Sequence, residues 1–258
     1  MCLAAAGALG IDVSVGQWCR ADRDLDRFFG KFEPFGHGLG VATILISVWL
    51  LDPGRRWAIP RVLTVAAASG LAVDLVKVLV VRVRPSHFDF QGSVWTTFGD
   101  WLPLGSAGSA GQSFPSGHTA TAVGLAVALA WLYPRGRWLF PTLAALVACQ
   151  RVETGAHWPS DVLAAAAVGC LVGWCCLGTS PISKAFDRWE SRWGGGDLAG
   201  RASRAAARLR GGSPDQPEVR MARPSRNRTL HFRCPLPSAP CLLPTAPCPL
   251  PGANNRVR

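Results

Sequence analysis

Residues 115–132 read PSGHTATAVGLAVALAWL, a short polar opening followed by an apolar run without a charged side chain from Thr119 to Leu132. A run of this length and composition predicts a helix that is buried in a protein core or in a bilayer. Ser116, Gly117 and His118 stand at its amino end. Because polar groups beside a membrane span are costly, they indicate a functional site by default.

Four other apolar blocks resemble this one, at 37–51, 62–81, 138–149 and 162–178, and a weaker block opens the chain. Hydrophobic residues make up 49% of the sequence and charged residues 17%, outside the usual balance of soluble proteins. Any single block also fits a buried soluble helix, but five or six in one chain favour the membrane. The predicted fold class is all-α, a six-span transmembrane helical bundle.

The chain divides by composition into three parts. We predict a transmembrane domain over residues 1–180, a basic tail over 181–233, and a Pro/Cys-rich segment over 234–258 that is disordered. Cys234, Cys241 and Cys248 recur at identical positions in near-repeats of seven, a spacing that matches no zinc pattern. The opening block has no charged amino-terminal region of a signal peptide, so it is expected to be a short first span.

The basic residues predict an orientation. From Thr179 to the end the chain has fourteen Lys and Arg against five Asp and Glu, which is most of the formal net charge of +11. Short loops at 52–61 and 133–137 are basic as well. By the positive-inside rule these segments are cytoplasmic, and the loops 82–118 and 150–161 face outward together. The predicted partners are anionic membrane lipids, with no nucleic acid.

The first polar cluster is KVLVVRVRP, residues 77–85. On a continuous helix Lys77 and Arg84 are about two turns apart and share a face, Arg82 points away from it, and Pro85 ends the helix. The alternative is a pair of snorkelling cations, with Lys77 neutralised by Asp74 one turn earlier.

The second cluster is the opening PSGH itself. Pro115 fixes the approach to a helix, Ser116 is a typical cap, and Gly117 lets a ligand approach the backbone. The free N–H groups of the first turn favour an anion, and His118 lies beside it. The alternative is an ordinary capped helix with a surface histidine.

The third cluster is RVETGAHWPSD, residues 151–161. Pro159 suits the first turn of the next helix and places Asp161 within that turn. Asp161 is expected to bond one ring nitrogen of His157 and to leave the other nitrogen free as a nucleophile, with Arg151 close by. The alternative is a hydrated loop with a capping aspartate.

Together the clusters supply cations, backbone donors, two histidines and a carboxylate, an inventory that fits phosphoryl transfer. Zinc binding by His118, His157 and Asp161 is the rival reading, but three nearby cations would repel the ion. No metal and no cofactor are expected.

The three motifs in order, K-x6-R-P, P-S-G-H and R-x5-H-x3-D, resemble the signature of the type 2 phosphatidic acid phosphatase superfamily, which also contains vanadium haloperoxidases. The resemblance covers about residues 10–180. One position departs from the pattern, because Gln150 stands where a serine commonly precedes the arginine, and we expect it to remove a supporting hydrogen bond.

The resemblance implies a role for each matched residue. It makes His157 the nucleophile that forms a phosphohistidine, Asp161 the group that orients it, and His118 the general acid. The positions that would hold the phosphate oxygens are Lys77, Arg84, Ser116, Gly117 and Arg151. The mechanism it implies uses no metal ion.

The predicted function is that of a multi-pass cell-membrane phosphatase acting on lipid phosphates or polyprenyl diphosphates at the extracytoplasmic side. A vanadate-dependent haloperoxidase and a non-catalytic transport or scaffold protein with an anion site stay as alternatives. We further expect His37 to cap the second span and the segment Asp12 to Pro34 to lie along the membrane surface.

Overall fold

The computed structural model describes residues 2–21, 26–101 and 108–192. The helices in these ranges are α1 (Cys2–Ala8), α2 (Asp12–Ala21), α3 (Asp26–Phe29), α4 (Gly38–Leu51), α5 (Ile59–Lys77), α6 (Gly117–Leu132), α7 (Leu139–Glu153), α8 (Pro159–Leu177) and α9 (Pro181–Ser191). Two short strands, β1 (Val80–Arg82) and β2 (Phe98–Trp101), form an antiparallel ribbon. The predicted all-helical class is therefore confirmed in its main part, with the addition of this ribbon.

Helix α6 lies at the centre and packs against α5, α7 and α8. Small residues make this close packing possible, as is common for helices in membranes. A Cβ added at Gly124 would lie 2.4 Å from the Ser69 hydroxyl of α5, and one at Gly169 of α8 would lie 2.9 Å from the Ala120 carbonyl of α6. The side chain of Leu125 in α6 is fully buried in this core.

Two helical stretches, Pro53–Lys77 and Pro159–Leu177, are long and apolar enough to cross a membrane. The turn Gly30–Gly36 and α4 form a pair bent by 69° that would count as a third span if it crosses as one unit. Their outer faces expose large apolar side chains, among them Leu71 and Trp174. Apolar helices of this kind support a membrane location. Six spans are not confirmed, and that number stays a prediction.

The helical reading of KVLVVRVRP is wrong. Helix α5 ends at Lys77, and the chain then enters β1, where Val80 pairs with Trp101 and Arg82 with Phe98. The β-branched valines of this stretch favour an extended chain over a longer helix. Lys77 and Arg84 therefore do not share a helical face, and Pro85 begins a short 3₁₀ turn instead of ending the helix.

The segment from Asp12 to Pro34 does not simply lie along a surface. The Asp12 side chain is fully buried, and the turn Gly30–Gly36 packs against α6 and α7. A Cβ added at Gly36 would lie 2.6 Å from the His118 carbonyl, so glycine is needed for this close approach. As predicted, His37 is the N-cap of α4, where its Nδ1 accepts from the Leu39 N–H at 3.3 Å.

Packing continues past residue 180, because α9 docks on the start of α5. The buried guanidinium of Arg61 donates to the Ser183 carbonyl and to Asp187, both at 2.7 Å. The remaining predictions for the basic tail and for the Pro/Cys-rich segment fall on residues outside the described ranges.

Candidate active site

The three predicted clusters meet where four helix ends come together. Helix α5 ends with Lys77, α6 begins just before His118, α7 ends shortly after Arg151, and α8 begins two residues after His157. The antiparallel order of these helices brings their polar termini to the same end of the bundle. Arg84 joins them through the connection between β1 and β2, where its N–H donates to the Ala110 carbonyl at 3.0 Å.

His157 is nearly fully buried, with 4% of its surface exposed. Its Nδ1 lies 2.6 Å from the backbone carbonyl of Ser113. Because a carbonyl oxygen only accepts, Nδ1 carries the proton and Nε2 has the free lone pair. This tautomer is the one that a nucleophilic imidazole needs.

The surroundings of His157 keep its ring neutral. Burial lowers the pKa of His157 to about 3, and the Ser113 carbonyl opposes this shift. The positive charges of Arg84, Lys77 and Arg151 lower the pKa of His157 further. Three cations from separate segments therefore act on one imidazole.

Asp161 does not bond His157 in the expected way. Its Oδ2 is 3.9 Å from the Nδ1 of His157, beyond hydrogen-bond distance. The carboxylate instead accepts from the Ser113 hydroxyl at 2.5 Å and from the Trp158 N–H at 2.9 Å. Asp161 thus holds Ser113, whose carbonyl holds the imidazole.

His118 and Arg151 are connected by Glu33, from the turn Gly30–Gly36. One carboxylate oxygen of Glu33 lies 3.0 Å from the Nη2 of Arg151 and 3.8 Å from the Nε2 of His118. The ring of His37 lies 5.8 Å from that of His118. Burial and the positive charge of Arg151 lower the pKa of His118, and the Glu33 carboxylate opposes this shift.

The predicted Lys77–Asp74 contact is present, with 3.1 Å between Nζ and Oδ1. This pairing does not remove Lys77 from the site. A Cβ added at Gly117 would lie 3.3 Å from the Lys77 amine, so glycine leaves room for this amine beside the first turn of α6. The ammonium and the helix amino terminus form a positive cradle.

Ser116 is the N-cap residue of α6, but its side chain makes no capping bond and its hydroxyl accepts from the Thr119 hydroxyl at 3.0 Å. The Nε of Arg84 is buried and has no hydrogen-bond partner among the described residues. A buried guanidinium nitrogen without a partner favours an anionic ligand. The described residues contain no group of three or more His, Cys, Asp or Glu side chains that could hold a metal ion.

Gln150 does not cost Arg151 a supporting bond. The Gln150 side chain, 2% exposed, accepts from the Arg151 Nε at 2.5 Å. A carboxamide oxygen therefore supplies the acceptor at this position, and the expected loss is wrong.

Sequence reasoning missed four residues of the site: Asp12, Glu33, Arg82 and Ser113. Arg82 was assigned to the wrong face because the stretch was taken as helical. The alternation in VVRVR, with an arginine at every second position, is the period of a strand and was the available signal. Asp12 and Glu33 come from segments whose packing no local pattern indicates.

The fold and the site define a mostly helical protein that gathers arginine, lysine and two histidines at one end of an apolar bundle. The sequence model of the PAP2 superfamily matches residues 57–183, and a lipid A 4′-phosphatase from Bacteroides thetaiotaomicron is 32% identical over 156 residues, 59% of this chain and 67% of the relative. The chain belongs to the PAP2 superfamily, as the three motifs predicted.

Two other similarities agree with this membership. A lipid A 1-phosphatase from Rhizobium etli is 38% identical over 127 residues. The aligned part is 49% of this chain and 50% of the relative, so the chain spans about half the length of this relative. The crystal structure of the first transmembrane PAP2 type phosphatidylglycerolphosphate phosphatase from Bacillus subtilis aligns with a TM-score of 0.50 at 20% identity, covering 69% of this chain and 90% of that one. At this identity the structural likeness concerns the fold.

Proposed function

We propose that the protein is an integral-membrane phosphatase that removes phosphate from lipid phosphates or diphosphates through a phosphohistidine at His157. The observation that carries the proposal is the buried, neutral His157 with Nδ1 bonded to a carbonyl and three cations acting on its ring. Neutral imidazole attacks phosphorus, and cations stabilise the charge on the phosphoryl oxygens.

In the first step the Nε2 of His157 forms a bond to phosphorus while the bond from phosphorus to the leaving oxygen breaks. His118 donates a proton to that oxygen. In the second step water attacks the phosphohistidine, gives its proton to His118, and restores His157 as inorganic phosphate leaves. Glu33, 3.8 Å from the His118 Nε2, opposes the lowering of the His118 pKa that burial and Arg151 cause.

The phosphoryl oxygens have a set of donors in this proposal. Arg84 offers an Nε without a partner among the described residues, and Lys77 lies beside Gly117 in the first turn of α6. Arg151 offers a guanidinium that Glu33 and Gln150 hold in place. Backbone N–H groups at a helix start and guanidinium groups are the usual donors for phosphate.

A lipid substrate is supported by an apolar groove of about 690 Å³ next to the site. Its lining comes from α1 and the residue after it, α5, β2, the residues just before α6, and α8: Ala5, Ala6, Leu9, Val76, Phe98, Phe114, Pro115, Ser160, Ala164, Ala167, Val168 and Leu171. Pro115 precedes Ser116, and Ser160 precedes Asp161, so the groove begins at the site and follows a candidate span. A hydrocarbon chain in this groove would leave its phosphate at His157.

The substrate classes proposed are phosphatidate, phosphatidylglycerophosphate, polyprenyl diphosphate and, from the names of the relatives, phosphorylated lipid A. The proposal includes a multi-pass arrangement with the site at the extracytoplasmic side, supported by the basic loops at the opposite helix ends. Neither step requires a metal ion.

The test is phosphate release by the protein purified in detergent, with one substrate of each class. The His157→Ala variant is expected to fall to background with every substrate. His87→Ala is the matched control, because the exposed His87 side chain bonds only its neighbour Ser86 among the described residues, at 3.0 Å, and alanine retains the backbone bond to the Arg84 carbonyl. This variant is expected to keep full activity. Release that survives His157→Ala, or native protein that is inactive on the whole panel, contradicts the proposal.

The groove has its own test. Ala167→Phe is expected to raise KM for a long-chain lipid phosphate about tenfold and to leave KM for a dihexanoyl analogue within about twofold, because a buried side chain of this size displaces the chain and not the phosphate. Leu163→Phe is the control, since Leu163 lines a different pocket, between α2, α7 and α8. An equal rise in KM for both chain lengths would remove the groove from the substrate site.

A further inference from the structure

Arg82 is the best-connected buried cation among the described residues. None of its surface is exposed, and its guanidinium donates to Thr97 at 3.1 Å, Ser160 at 2.7 Å, Asp12 at 2.7 Å and Asp161. The rings of Phe98 and Trp158 lie over it, with centroids 4.5 and 5.4 Å from Cζ. One guanidinium therefore bridges two buried carboxylates in a setting closed to water.

Asp12 brings α2 into this cluster. Besides Arg82, its carboxylate accepts from the Ser160 N–H at 3.0 Å and from the Ser160 hydroxyl at 2.5 Å. Asp12 lies well before the segment that matches the family, residues 57–183. Asp12 lies outside the three motifs, and Arg82 occupies one of the unspecified positions of the first, K-x6-R-P.

A continuous chain of bonds leads from Asp12 to the imidazole. Arg82 links Asp12 to Asp161, Asp161 accepts from the Ser113 hydroxyl, and the Ser113 carbonyl accepts from the Nδ1 of His157. Asp12 and Arg82 make no direct contact with His157. Their side chains reach the imidazole through Asp161 and Ser113, and the Arg82 backbone carbonyl also accepts from the Ser113 N–H at 3.0 Å.

The charges in this chain suit the reaction. When both carboxylates are ionised, they and the one guanidinium leave a net negative charge on the Nδ1 side of the ring. When Nε2 bonds to phosphorus, positive charge develops on the imidazole and its Nδ1–H becomes a stronger donor. A fixed negative charge behind that donor stabilises the transition state more than the resting enzyme.

We propose that Asp12 and Arg82 are positioning residues for phosphoryl transfer, and that the amino-terminal segment, through Asp12, completes the active site. This inference rests on the proposed role of His157. The competing explanation is purely structural, in which Asp12 only caps the start of α8 by accepting from the Ser160 N–H.

The two explanations differ in which property of the residue 12 side chain matters, its charge or its shape. Asp12→Asn keeps the shape and removes the charge, whereas Asp12→Glu keeps the charge and lengthens the side chain. If the charge matters, kcat falls about tenfold or more in Asp12→Asn and less in Asp12→Glu. The inhibition constant of inorganic phosphate stays within about twofold, because Lys77, Arg84 and Arg151 are untouched. A structural role predicts the reverse order of the two variants, or phosphate affinity that falls together with kcat.

A double-mutant cycle gives a second readout. Residues that act through one chain of bonds have losses that do not multiply, so Asp12→Asn combined with Ser113→Ala is expected to be hardly slower than Ser113→Ala alone. Losses that multiply overturn the proposal. If Asp12→Asn does not fold, Arg82→Lys, which keeps a cation, replaces it in both experiments. It is expected to lower kcat without changing the inhibition constant of phosphate, and to give the same result in the cycle with Ser113→Ala.

Two controls separate the possible failures. Glu190→Gln removes a carboxylate that is buried as completely as Asp12 but pairs with Arg61, at the start of α5, and is expected to keep wild-type kcat. His157→Ala tests the proposed function itself. An inactive His157→Ala with a wild-type Asp12→Asn contradicts only the positioning role, whereas an active His157→Ala contradicts the proposed function.

Discussion

Two buried arginines lie at opposite ends of the helical bundle. Their contacts are similar, but only one of them is linked to the candidate site. Arg61 and Arg82 are 2% and 0% exposed, and each bridges two carboxylates. Arg61 lies at the start of α5 and Lys77, in the candidate site, at its end, sixteen residues or about 24 Å along the helix.

The two clusters differ in how completely their polar atoms are paired. The carboxylates of Asp12 and Asp161 accept from hydroxyl and N–H groups in addition to Arg82. At the other end both oxygens of Glu190 are buried without a hydrogen bond, and Asp187 is half exposed. Burial of an ion pair alone therefore does not mark a functional site. The connection of Arg82 to His157 through Asp161 and Ser113 is what distinguishes it.

The largest expected difference comes from removing each arginine. Arg82→Met leaves two fully buried carboxylates without their cation, which costs about 3–5 kcal/mol of stability, and no phosphatase activity is expected to remain. Arg61→Met is milder, since Asp187 reaches water and Glu190 takes up a proton. Thermal unfolding in detergent together with phosphate release measures both effects. Equal losses of activity would erase the distinction between the clusters.

The two ends are expected to respond to pH with opposite signs. Burial raises the pKa of Glu190 to about 7, although Arg61 opposes the shift. Between pH 4.5 and 7 the folded protein then holds a proton at Glu190 that the unfolded chain has lost. The contribution of Glu190 to the free energy of unfolding therefore falls as pH rises. The pKa of His157 is lowered to about 3. Between pH 3 and 6.5 the unfolded chain holds a proton on His157 that the folded protein lacks. The contribution of His157 to the free energy of unfolding therefore rises with pH.

Thermal midpoints from pH 5 to 7.5 measure this contrast. Relative to the wild type, Glu190→Gln is expected to gain midpoint temperature with rising pH, and His157→Gln to lose it up to about pH 6.5. Identical pH dependence in all three proteins would show that neither group titrates as described. The same reasoning keeps His157 neutral above about pH 3, so an acid limb of activity near pH 6 does not come from this residue.

The smallest expected effect concerns two buried serines. Ser113→Ala removes the hydroxyl between Asp161 and the loop that holds His157, and we expect kcat to fall about tenfold, the size of one lost hydrogen bond. Ser183→Ala is the matched change near Arg61, which bonds the Ser183 backbone carbonyl, a group that alanine retains. Ser183→Ala is expected to keep kcat within about twofold. A similar kcat for both variants would remove Ser113 from the chain of bonds.

The sequence predicted the helices and the meeting of the three clusters because apolar runs and polar termini are local patterns. It failed where the pattern was short. The stretch after Lys77 was read as helix, so Arg82 was placed on the wrong side, although valine and arginine alternate there as in a strand. The bond from His157 to the Ser113 carbonyl could not be predicted, because every residue type has a backbone carbonyl.

Asp12 and Glu33 were missed for a different reason. They lie in a segment that reads as amphipathic and fits a membrane surface equally well. Only the packing of the turn Gly30–Gly36 against α6 and α7, and of Asp12 against Ser160, brings them to the site. Contacts between segments so far apart in the chain, such as Asp12 and Ser160, leave no periodic pattern in the sequence.

The central claim is that His157 carries the phosphoryl group. The most direct measurement mixes the protein with the lipid phosphate that it hydrolyses fastest, labelled with ³²P, quenches in alkali within one turnover, and maps the label by mass spectrometry. Label on the peptide containing His157, absent from His157→Ala, is the predicted result. Label on His118, or no labelled enzyme during active turnover, would contradict the account.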